Sequence, residues 1–226
     1  MKKAFLLTAL FLASWGAAAQ DIASYNPGEF TQIILAGKIN VILEQGNENT
    51  FEVTLHNIGA DRFSWSSYDG KLSMKLKANT RQEGSADVRI TYKHIDLIDA
   101  TTASVRAEGP IPADIFTVKV ANGANVTVET QSKDITVAAD GNSAVTLSGN
   151  TLYLNINANS KAKIDARALQ ARSAIVNAQI NAEVFVWGTE RLEAKAGSNS
   201  VIYYKGTPEI FKTATNLMGS IEQFAY

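Results

Sequence analysis

From about residue 97 onward, apolar and polar positions fall into short alternating runs that recur about every 20 residues. Each repeat closes on a small-residue turn followed by a β-type stretch. The copies are Ala103-Ser104-Val105, Ala124-Asn125-Val126, Ser143-Ala144-Val145, Ala162-Lys163-Ile164, Ala182-Glu183-Val184, Asn199-Ser200-Val201 and Gly219-Ser220-Ile221. The apolar marker stands at 105, 126, 145, 164, 184, 201 and 221, giving spacings of 21, 19, 19, 20, 17 and 20. A period of this length with no helical pattern inside it predicts a β-solenoid, each repeat being one coil laid on the last. A second strand precedes most turns, as in Phe116–Val120, Ile135–Val137, Leu152–Ile156 and Leu192–Ala196. Alternation within these strands predicts one buried and one wet face. Residues 166–173 alone look helix-compatible, but their place in the repeat phase makes them a corner and a strand start.

Upstream, residues 30–95 read as longer strands in hairpin-like succession. Phe30–Leu35, Ile39–Leu43, Phe51–Leu55, Phe63–Trp65, Leu72–Leu76 and Val88–Tyr92 alternate cleanly, with turn residues at Ala36-Gly37 and Gln45-Gly46-Asn47. Asp69-Gly70 between alternating apolar runs is a strong hairpin signal. Residues 78–86 are polar and read as a loop. Asn recurs at the repeat turns (Asn122, Asn125, Asn142, Asn157, Asn159, Asn181, Asn199). Two readings explain it: Asn tolerates left-handed turn geometry, and stacked amides can hydrogen-bond from coil to coil.

The first residues carry a different pattern. Lys2 and Lys3 precede an apolar run, Ala4–Gly16, and Ala17-Ala18-Ala19 supplies a small-residue cleavage site. This is the pattern of a signal peptide over 1–19, leaving Gln20 as the new N-terminus and 20–226 as one domain. The apolar run is too short for a transmembrane anchor. The chain has no cysteine, so disulfides, thiolate chemistry and a lipid-modified cysteine at the cleavage site are absent. An exported protein is expected, in the periplasm, at the cell surface or in the medium. A net charge of −1 with no basic block argues against nucleic-acid binding.

The stretch Phe30-Thr-Gln-Ile-Ile-Leu-Ala-Gly37-Lys38-Ile39-Asn40-Val41-Ile-Leu-Glu-Gln-Gly46, followed by Phe51-Glu-Val-Thr-Leu55, resembles the opening of the auto-transporter adhesin head GIN domain family. Asp69-Gly70-Lys71-Leu72-Ser73-Met74 is similar to that family's later strand, with Met in place of a β-branched residue. The resemblance covers residues 27 to 225. It implies a secreted, all-β, right-handed parallel β-helix-like solenoid, here with a hairpin-rich N-terminal part. It carries no binding residues that could be transferred, and no cofactor.

Chemistry is sparse. His56 and His94 read as lying in different strands with no cysteine or paired acid at ligand spacing, so no metal site is expected. β-helices also host polysaccharide lyases and hydrolases, which need paired carboxylates on adjacent coils. The acids Asp96, Asp99, Asp114, Asp134, Asp140 and Asp165 are scattered, and no neighbouring repeats bring carboxylates into register, so an enzyme is the alternative rather than the expectation. Counting three residues past each marker gives Glu108, Glu129, Ser148, Arg167, Trp187, Tyr204 and Phe224. If markers point inward, these point outward. Trp187, Tyr204 and Phe224 then form a vertical stack, with Phe185 and Ile202 beside it. An exposed apolar patch of that kind marks contact with something: the chain's own cover, a glycan, an envelope protein, or a second copy in a self-associating structural protein. Phe224-Ala225-Tyr226 is the expected cap of the last coil.

Overall fold

The computed structural model describes residues 23–77 and 84–224. The expected signal peptide, most of the expected loop at 78–86, and Ala225-Tyr226 of the expected cap lie outside the described residues. Strand β7 already begins at Ser85. The described chain forms sixteen strands: β1 (Ala23–Tyr25), β2 (Gln32–Ala36), β3 (Ile39–Gln45), β4 (Thr50–His56), β5 (Phe63–Tyr68), β6 (Lys71–Leu76), β7 (Ser85–Tyr92), β8 (Leu97–Thr101), β9 (Ser104–Ala121), β10 (Asn125–Ala139), β11 (Ala144–Ala158), β12 (Lys163–Ala178), β13 (Glu183–Ala196), β14 (Val201–Lys205), β15 (Ile210–Thr215) and β16 (Ser220–Gln223). A single 3-10 turn, Ala60–Arg62, interrupts them. The architecture is a β-solenoid of about seven turns.

Each of β9 to β13 is one coil. The strand runs up one wall, bends in its middle and runs along a second wall, and a tight turn then starts the next coil in parallel register. The stretch at 166–173 passes through β12 as strand, with an irregularity between Ala166 and Gln170. Inward residues stack into columns. On the first wall Val105, Val126, Val145, Ile164, Val184, Ile202 and Ile221 are successive partners. On the second, Ile98, Val118, Val137, Ile156, Val176 and Ala194 follow one another. Burial of each such aliphatic side chain contributes about 1.5–3 kcal/mol, which is how a chain without disulfides holds together.

The turns explain the small residues. At 122–123, 141–142, 160–161, 180–181, 198–199 and 217–218, two consecutive residues have positive φ. This is the mirror-image turn that suits Asn and Gly. The 121–124, 159–162, 197–200 and 216–219 turns close with a backbone bond from the fourth residue to the first. Successive corners are bonded to one another: Gly123 N–H donates to Gly141, Asn142 to Ser160, Lys161 to Ile180, Asn181 to Ser198 and Asn199 to Leu217, all at 2.9 Å. Both readings of the corner asparagines hold at different places. Asn122 and Asn142 supply left-handed geometry, Asn181 and Asn199 do so while bonding amide to amide at 2.8 Å, and Asn177 donates to Asn157 on the wall.

The N-terminal part joins the same stack in an order unlike its sequence. On the first wall β9 is preceded outward by β3, β7, β4 and β1; on the second, by β8, β2, β6 and β5. Of the consecutive strands there, only β5 and β6 make a hairpin, through Asp69 and Gly70 at φ 52° and 71°. Gly37 and Gly46 are therefore not hairpin turns: β2 and β3 occupy different walls, and β4 pairs with β7. Strands β1, β4 and β5 run antiparallel to their neighbours. The rings of Tyr25, Phe51 and Trp65, with centroids 4.9–5.3 Å apart, close the core beneath them.

Candidate functional site

The structure corrects the register of the outward aromatic column. Val184 pairs with Ile202, not Val201, so the marker in that coil is Ile202. It is fully buried and belongs to the core. A one-residue slip exchanges the faces of a strand. Tyr204 consequently points inward and packs partly buried on the core, beside Phe211 at 4.8 Å. Trp187 pairs with Lys205 and Tyr204 with Gln223, so the expected stack of Trp187 over Tyr204 over Phe224 does not form.

A different ladder stands on that face. Asp165, Phe185, Tyr203 and Glu222 are successive outward partners. The Phe185 and Tyr203 rings stack with centroids 4.7 Å apart and planes 17° from parallel, which is the spacing of adjacent strands. The Arg167 guanidinium lies 4.5 Å from the Phe185 centroid, and the Phe224 ring meets Phe185 edge-on at 5.9 Å. Two residues along the strand, the Lys205 ammonium sits 3.8 Å from the Trp187 ring. Asp165 accepts from Arg167 Nε at 2.9 Å and also from Nη2, which fixes the guanidinium. The Arg167 bond holds the Asp165 carboxyl below its ordinary range, partly opposed by burial. Three coils thus present partly exposed aromatic rings interleaved with cations, each worth about 0.5–1 kcal/mol where exposed. The signal that could have revealed Tyr203 was the column one residue past the marker (Thr127, Thr146, Asp165, Phe185), once the coil at 202 is set in phase.

A second feature is a groove of about 720 Å³ along the other wall. It exists because the outward residues there are short. Ala138, Asn157 and Asn177 form its floor, corner residues Asp140, Asn159 and Gln179 one side, and Asp99 and Lys119 one end. Asn159 Oδ1 is the one buried side-chain atom without a partner among the described residues.

Carboxylates do meet on neighbouring coils at one place that sequence spacing hid. Glu44 of β3 and Glu108 of β9 are in register, because β3 is stacked directly on β9 although it lies far upstream. Arg89 donates to both, at 3.3 and 3.0 Å. The guanidinium between them makes the pair part of an ion lattice, in which both carboxylates already have a cation as partner. His56 contacts Asp87 and His94 contacts Asp96 at the surface. No group of three or more metal-ligating side chains occurs among the described residues. Among them, too, no helix is long and apolar enough to cross a membrane.

A parallel, closed-headed solenoid with a decorated side wall defines a class of repeat-built β-proteins. The particular family follows from the sequence: residues 29–208 match the model described as "Putative auto-transporter adhesin, head GIN domain", and the chain belongs to that family. Solved structures agree on the fold. A protein of Bacteroides fragilis described as a putative adhesin superposes with a TM-score of 0.81 at 18% identity, covering 90% of this chain and 96% of its own. A putative adhesin of Parabacteroides merdae gives 0.69 at 17%, covering 91% and 96%. A putative lipid binding protein of Parabacteroides distasonis gives 0.68 at 19%, covering 91% and 96%. No curated protein matches the chain.

Proposed function

We propose that this chain is an exported, non-enzymatic binding module of the adhesin-like kind, and that it grips its partner with the side wall carrying Phe185, Tyr203, Arg167, Trp187 and Lys205. The observation that carries the reading is the Phe185–Tyr203 stack with its flanking cations. Aromatic rings stacked face to face at strand spacing lose little freedom on binding, so their contact energy is not spent on ordering. Alternating π faces and cations suit a surface that is apolar on one side and anionic on another, as in an acidic glycan of the cell envelope. Family membership supports the adhesin-like role, and the Lys2–Ala19 pattern supports export.

The test is a glycan-array and envelope-polysaccharide pull-down with residues 20–226, beside the double variant Phe185→Ala, Tyr203→Ala. Binding that disappears in the variant, with an unchanged far-UV spectrum, supports the proposal. Binding equal in both proteins, or no binding to either glycan or envelope protein, overturns it.

A further inference from the structure

The two ends of the solenoid are built differently. The N-terminal end is closed by antiparallel strands and the Tyr25–Phe51–Trp65 cluster. At the C-terminal end every residue of β15 is exposed. Phe211 is the partner of fully buried Leu192, yet is 44% exposed, because none of the described coils lies above it. Leu217 and Met218 make the last corner, at φ 42° and 63°, and are 71% and 84% exposed. At the equivalent corner of an earlier coil stand Asn122 and Gly123. Large apolar residues are therefore both strained and wet at the last described corner.

We infer that this end docks a second copy of the chain, tail to tail, in a twofold dimer. Two observations select that occupant. First, among the described residues β15 and β16 leave their outer edges unpaired, and another β-edge matches such a row of backbone donors and acceptors as a lipid surface does not. Second, β1 and β5 also leave an edge unpaired at the head end, but there the Tyr25–Phe51–Trp65 cluster covers the core, whereas Ile210, Phe211, Leu217 and Met218 stand exposed at this end; an apolar face meets its like when tails pair with tails, and a twofold contact of that kind stops at two. Lys212, the one charged residue of β15, is turned back onto Glu193 at 3.2 Å. An antiparallel register centred on Thr213 sets Thr213 against its own copy and Phe211 against Thr215. It leaves Lys212 opposite Ala214 instead of opposite itself.

Sedimentation velocity over a concentration series tests this on residues 20–226 and two variants. Leu217→Asn with Met218→Gly restores the chemistry of the 122–123 corner, so it removes the apolar knob while relieving backbone strain. Ala214→Lys adds a charge to the exposed edge. Wild type is expected to move to twice the monomer mass as concentration rises. Both variants are expected to stay monomeric, the first with an unfolding midpoint no lower than wild type, and Phe185→Ala, Tyr203→Ala to dimerise normally. A wild type monomeric throughout, or variants that dimerise as it does, overturns the inference. So does flotation of a monomeric wild type with phosphatidylglycerol vesicles that the 217/218 variant loses, which would assign the end to lipid.

Discussion

Replacing Gly149 by Ala probes how tightly successive coils are pressed together. Gly149 sits at the bend of β11 with φ +110°, and a Cβ there would lie 2.1 Å from the carbonyl oxygen of Thr130 in the coil below. Thr130 cannot give way easily. It is fully buried, its hydroxyl donates to the Ile111 carbonyl at 2.8 Å, and Ser132 lies 2.7 Å from the same hydroxyl. Two costs add: about 1–3 kcal/mol for an L-residue in that conformation, and about 1–3 kcal/mol for overpacking. At about 4 kcal/mol in all, and about 3 °C per kcal/mol for a chain of this size, the midpoint should fall by about 12 °C. Gly109 provides the control. It occupies the bend of β9 with φ +99°, but its Cβ would meet nothing within 4 Å. Gly109→Ala should carry the conformational cost alone, about 2 kcal/mol or about 6 °C. Thermal melts by circular dichroism compare the two. Equal losses would refute the claim that coil-to-coil contact, rather than backbone geometry, requires glycine at 149.

Three further outcomes are expected. Tyr92 is buried, which pushes its phenol up to about 12; the unfolded chain ionises near 10 and the folded one does not, so stability should fall as pH rises from about 10 towards 12. An alkaline series of urea melts should show that loss in wild type and not in Tyr92→Phe. Asp165, held low by Arg167, contributes stability that is present above the unfolded carboxyl value and is lost as pH falls through the folded one. The pair is partly exposed, so Asp165→Asn should cost less than about 1 kcal/mol at pH 7 and flatten the acid limb below about pH 4. Tyr203→Ala alone should weaken partner binding several-fold in surface plasmon resonance, whereas Thr127→Ala, two coils from Asp165 on the same outward column, should leave it unchanged.

The neighbours share this fold at only 17–19% identity, which is what a fold held by columns of generic aliphatic residues allows. The corners are more demanding. Positive φ at two consecutive positions admits few residue types without strain, and Ser160, Lys161, Ile180, Ser198, Leu217 and Met218 are the places where this chain departs from Asn and Gly.

Sequence alone determined the solenoid, because each coil repeats a local grammar: alternation of period two, a small corner, then a marker residue. That grammar is written within about 20 residues and needs no distant partner to be read. It placed Val105, Val126, Val145, Ile164, Val184 and Ile221 in one column. Tertiary structure decided what depends on relative register. The path from Val184 to its partner Ile202 set the one coil at β14 a single position away from the Val201 marker, while Ile221 kept its place. That shift sent Tyr204 and Ile202 inward and brought Tyr203 out onto Phe185. It also decided the shuffled order of β2, β3, β6 and β7, and with it the meeting of Glu44 with Glu108. Strand pairing over tens of residues is chosen by which apolar faces close the core together. No short-range pattern in the chain encodes that choice.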